Sequence, residues 1–156
     1  MITVSDELLT QTLQEVVDTF LIPKFLSLGM NASGSWINAL RVEVVNGTGY
    51  IKGKDYTYYL VNGRAGGNKP PITPLINWVQ QKLGKSGREG IGIAYAIQNK
   101  IAKEGTDYYP SGTDLLEVLQ SKEVTQFIYT RIGENISGQL QSEIKRRLKN
   151  TFKNGS

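Results

Sequence analysis

The chain contains no cysteine and no histidine. Without cysteine there is no disulfide, no thiolate metal site and no thiol nucleophile. Without histidine the usual general base and the usual zinc ligand are missing, as is every Ser-His or Cys-His arrangement. Carboxylate, lysine or tyrosine chemistry is what remains, and the acids Asp55, Glu104, Asp107 and Asp114 are scattered without the spacing of a paired carboxylate site. Proline is scarce, five in 156 residues. No apolar run approaches the roughly 20 residues that span a bilayer. No basic stretch followed by an apolar one opens the chain, so neither a secretory signal nor a membrane partner is expected.

What is present is an ordinary soluble composition, 39% apolar and 21% charged, in a length that suits one domain over residues 1–156. The net charge is +4. Five basic residues, Lys145, Arg146, Arg147, Lys149 and Lys153, crowd the last twelve positions without an acid among them. Two readings stand: a solvated helix end whose cations complement the helix dipole, or a contact for DNA phosphates or an acidic partner surface.

Periodicity predicts an α+β fold: a long N-terminal helix, a small antiparallel β-meander packed against helices, and a long C-terminal helix. Ser5 before Asp6 and Glu7 starts a helix over 5–28, with Leu9, Leu13, Val16, Val17, Phe20 and Leu21 as its stripe and Pro23 as a kink or stop. The meander is expected over 37–61. Leu40, Val42 and Val44 alternate with Arg41 and Glu43; Asn46-Gly47 supplies a hairpin turn; Tyr50–Lys52 follows; and Tyr56, Tyr58 and Tyr59 lie in a third strand. Residues 62–72, with Gly63, Arg64, Gly66, Gly67, Pro70 and Pro71, read as an exposed loop. A helical pair is expected over 73–105, with Thr73 capping, Pro74 at the first position and Gly105 as terminator. Asp114–Gln120 reads as a short helix.

The segment 121–150 reads as helix. Val124, Ile128, Ile132, Ile136, Leu140, Ile144 and Leu148 recur every four residues. Because a helix has 3.6 residues per turn, this stripe drifts by about 40° at each step. Either more than one neighbour buries it, or the helix breaks at Gly133 or Gly138.

Two motif fragments carry no site. Gly84-Lys85-Ser86 has a P-loop ending, but Val79 stands where the first glycine belongs. Gly87-x-x-Gly90-x-Gly92 reverses the dinucleotide spacing. The glycine-rich loop could cradle an anion or make assembly contacts. The tyrosines could stack nucleic-acid bases or anchor an interface.

Taken in order, Ser33-Gly34-Ser35-Trp36-Ile37-Asn38-Ala39-Leu40, then Tyr56-x-x-Tyr59-Leu60-Val61-Asn62-Gly63-Arg64, then Pro70-Pro71-Ile72-Thr73-Pro74-Leu75-Ile76-Asn77-Trp78-Val79 with Lys82, then Ala94-x-x-Ile97-x-x-x-Ile101-Ala102-x-x-Gly105, this chain resembles the neck or tail-completion proteins of tailed bacteriophages. The likeness covers roughly residues 5–110. Trp36 replaces the family's usual aliphatic residue, and the last helix is longer and more regular. The resemblance implies a non-catalytic structural virion protein at the head–tail junction, assembled in the host bacterial cytoplasm, with no cofactor. It implies a cyclic homo-oligomer, a hexamer or dodecamer, between portal, connector or adaptor proteins and tail proteins, with transient DNA contact in its lumen. The interface residues expected are Tyr56, Tyr58, Tyr59, Gly63, Arg64, Gly66, Gly67, Pro70, Pro71, Ile132, Ile136 and Leu140. A small nucleic-acid-binding module using the tyrosines and the basic tail is the alternative.

Overall fold

A computed structural model describes residues 2–153, and side chains as far as Asn150. The fold is α+β, with long helices at both ends and one small antiparallel sheet.

Helix α1 (Asp6–Val16) starts where expected. Ser5 has extended backbone, and its Oγ accepts the Leu8 N–H at 3.1 Å. The rod neither stops nor breaks at Pro23. It widens into a π-helical turn, Val17–Leu21, in which the Ile22 N–H reaches the Val17 carbonyl, and continues as α2 (Ile22–Ser27). Proline has no N–H for the carbonyl four residues back, and the looser turn upstream absorbs the mismatch. It also turns Val16, Val17 and Leu21 inward together.

Trp36 lies in a short helix, α3 (Ser35–Ala39), and not at the head of a strand. Its ring stacks on Phe25 with centroids 4.3 Å apart, and its indole N–H donates to Thr57 Oγ1 at 2.8 Å. With Val17, Leu21 and Leu115 these two rings form the core.

The sheet is a hairpin, β1 (Arg41–Val45) with β2 (Thr48–Lys52), in the register Val42↔Ile51 and Val44↔Gly49. Asn46 and Gly47 both have positive φ, the conformation a two-residue hairpin loop requires. One face packs on α1, and Glu43 pairs with Lys52. The expected third strand is absent: the tyrosine segment is helix α4 (Thr57–Asn62). Its apolar content satisfies two periods at once. The helical one, which turns Thr57, Leu60 and Val61 inward and leaves the tyrosines outside, is the one the Trp36–Thr57 contact selects.

Helix α5 (Ile72–Leu83) begins one residue before the expected cap. Pro71 occupies the cap position, and Thr73 and Pro74 fall in the first turn, where a missing N–H costs nothing. It packs on α6 (Gly87–Glu104), where Val79 and Ala94 are fully buried. Gly105 ends α6 as expected. The short helix after Asp114 is reduced to a 3₁₀ turn, Glu117–Gln120.

Helix α7 (Lys122–Lys153) runs unbroken through Gly133 and Gly138. Its 32 residues reach about 48 Å. It lies antiparallel to the N-terminal rod. Phe127 meets Phe20 edge-on at 5.5 Å, Arg131 bridges Glu15 at 2.5 Å, and the Gln139 side chain bonds the Thr3 backbone at both ends.

Candidate interaction site

The glycine loop is a strap laid along the end of α6. The Arg64 N–H donates to Thr106 Oγ1, the Thr106 N–H returns to the Arg64 carbonyl (both 2.8 Å), and the Gly67 N–H reaches the Ala102 carbonyl at 2.7 Å. The buried Gln98 amide donates to the Pro70 carbonyl at 2.7 Å. Two glycines make this approach possible. Gly63 (φ 74°, ψ 178°) and Gly105 (φ 83°, ψ −167°) adopt backbone conformations open essentially to glycine alone. A Cβ on Gly63 would lie 2.9 Å from the Tyr109 backbone, and one on Gly105 would overlap the Arg64 carbonyl. The Arg64 guanidinium is turned back onto the Asn68 carbonyl at 2.9 Å. Of the expected loop residues, Gly63 and Pro70 are buried, Arg64 is half-buried, and Gly66, Gly67 and Pro71 remain exposed.

Tyr56, Tyr58 and Tyr59 are all exposed, but on a helix rather than a sheet platform, so they do not form the flat row that would stack successive bases. Tyr58 and Tyr59 meet edge-on at 5.5 Å, and the Tyr56 hydroxyl hydrogen-bonds Ser35 Oγ at 3.2 Å.

The α7 stripe changes environment along its length. Val124 is 1% exposed, Ile128, Ile132 and Ile136 are half-buried, and Leu140, Ile144 and Leu148 are 46%, 48% and 52% exposed. The four steps from Val124 to Leu140 turn the stripe by about 160°, from the side facing α1 to the side facing away from it. The outer end of α7 therefore presents an apolar row that its own body cannot cover.

The basic cluster shares this arm. Arg146 Nη2 and Arg147 Nε bridge Glu143 at 2.8 and 2.9 Å, and hydrogen bonds from Arg146 and then Arg147 bring the Glu143 carboxyl down to about 2. Lys145 and Lys149 are exposed; the side chain of Lys153 lies outside the described residues. Residues 1–139 hold 13 basic and 13 acidic side chains, so the entire +4 belongs to the arm.

A cleft of about 1020 Å³ opens between the α2–α3 connection and α5. Phe25 and Trp36 lie against it, and Trp78, Asn77, Gln81 and Tyr56 line it further out. None of its lining residues is charged. Lys82 secures its wall by donating to the Gly29 and Asn31 carbonyls, both at 2.9 Å. Tyr108 also lines it, and burial, then the charge of Asp107, raises that phenol above its ordinary value. The sequence signal was the pair of tryptophans, 36 and 78, but only the folded chain brings them to one cavity.

Among the described residues no helix is long and apolar enough to cross a membrane, and no group of three or more acidic side chains could hold a metal ion. In comparisons with protein-family models, curated proteins and solved structures, the chain matches none.

Proposed function

We propose that this chain is a structural protein of a tailed-bacteriophage virion. It forms a cyclic ring at the head–tail junction that joins the portal or connector to the tail, without catalysis. The ordered resemblance of residues 5–110 supplies the station in the particle. The observation that carries the assembly role is the outer end of α7, where three aliphatic side chains stand about half exposed on the side away from the body. Covering each would contribute roughly 1 kcal/mol, half the value of full burial. One such contact is weak alone and effective when repeated around a closed ring. The two-stranded hairpin leaves both outer edges unpaired, a second surface that neighbouring copies would cover.

Under this reading, deleting the gene from the phage that carries it leaves DNA-filled heads and finished tails unjoined in electron micrographs. Supplying the protein in trans restores joined particles. Joined, infectious particles from the deletion would overturn the reading.

The segregation of all net charge onto the arm favours the second reading, nucleic-acid binding. That reading predicts DNA affinity falling steeply with salt.

A further inference from the structure

We infer that the α7 arm of one copy seats in the uncharged cleft of the next copy, so that the ring is built from a head-to-tail contact. This rests on the ring reading above and names the surfaces that close it.

Three observations converge. The first is position. Gln139 lies beside Thr3 at the start of the N-terminal rod, whereas Phe25, which lies against the cleft, is near the rod's other end. The rod spans residues 6–27 and about 33 Å, and the arm leaves its far end, pointing away from the cleft. A chain cannot fill its own cleft without breaking α7; a second copy can. Donor and acceptor surfaces at opposite ends are what a heterologous contact needs, and such contacts close into rings when the rotation permits.

The second is shape. Leu140, Ile144 and Leu148 form a row about 12 Å long on one helix face. The cleft, about 1020 Å³ with the buried Phe25 and Trp36 rings on its inner side, has room for a row of aliphatic side chains, as helix-in-groove recognition requires.

The third is charge. Pairing of two arms is disfavoured, because each carries the whole +4 of its chain. The cleft opposes the arm with no cation among its lining residues.

The test uses two full-length variants. The arm variant carries Leu140→Ser, Ile144→Ser and Leu148→Ser. The cleft variant carries Asn77→Arg and Gln81→Arg, both at exposed positions. Circular dichroism and thermal melting establish that each is folded, and analytical ultracentrifugation over a concentration series gives the assembly state. The wild type is expected to associate, and each variant alone to weaken that association by about tenfold or more. A mixture of the two should form heterodimers and stop there, since one supplies the open cleft and the other the intact arm. A double variant Asn77→Glu, Gln81→Glu should tighten association, and added salt should reverse the gain.

Assembly of the arm variant like wild type, or a mixture that stays monomeric while wild type associates, overturns the inference and leaves the ring reading standing on other surfaces. A wild type monomeric at every concentration overturns it as well, while gene deletion still decides the ring reading. Binding of a 20-base-pair duplex by a monomeric wild type, lost on Lys145→Glu and Lys149→Glu, would assign the arm to nucleic acid instead.

Discussion

Replacing Gly105 with alanine tests whether the glycine strap is an integral part of the fold. The residue sits at φ 83°, ψ −167°, where a side chain costs about 1–3 kcal/mol in backbone strain alone. The new Cβ would also overlap the Arg64 carbonyl oxygen. Relief requires the strap to lift, which breaks the Thr106–Arg64 and Gly67–Ala102 hydrogen bonds at about 1 kcal/mol each. The expected loss is about 3–5 kcal/mol. At about 2–4 °C per kcal/mol for a chain of this size, the melting temperature falls by roughly 6–20 °C. Gly92 provides the internal control: it lies within α6, and a Cβ there meets nothing within 4 Å. Gly92→Ala should stabilise by about 0.5–1 kcal/mol through helix propensity. Urea denaturation with a common m-value separates the two. A Gly105→Ala loss below about 1 kcal/mol would refute the described strap.

The two ends of the α7 stripe should respond oppositely. Val124→Ala, at a fully buried position, should cost about 2 kcal/mol, while Leu148→Ala in the dilute chain should stay within about 0.5 kcal/mol. Equal losses by urea denaturation would contradict the drift of the stripe around the helix. Acidification gives a further test at Glu143, whose carboxyl is lowered from 4.5 to about 2 by Arg146 and Arg147. A depressed carboxyl contributes stability that is complete above about pH 4.5 and lost as pH falls toward 2. The far-UV helical signal of the arm should therefore decline across that window, and Glu143→Gln should remove this pH-dependent component. An unchanged profile in the variant would exclude these ion pairs as its source.

Much of the fold could be read from periodicity and punctuation. The Ser5 cap, the Asn46-Gly47 turn and the Gly105 terminator are decided by interactions within a few residues, which short sequence patterns encode directly; the last segment was legible as helix, but its continuity through Gly133 and Gly138 was not. The apolar positions Ile132, Ile136 and Leu140 were legible in the same way, as members of a strict four-residue repeat. The repeat also implied a face that turns away from any single partner, and burial falls along it as that geometry requires.

What the chain's order of residues could not decide was settled by packing. Tyr56 to Val61 fits a strand and a helix equally well, and the contact of Thr57 with Trp36, 21 positions away, selects the helix and shrinks the meander to a hairpin. Pro23 reads locally as a break, yet the rod continues because the π turn and the buried Val17 and Leu21 hold both halves in one core. The loop of glycines reads locally as exposed, and becomes a strap only because α6 ends beside it. The cleft is the extreme case: its walls come from α2, α3, α4 and α5 and from residues as far along as Thr113. Local pattern determines which elements form. Which surfaces they leave open depends on distant residues meeting, and that is a property of the folded chain alone.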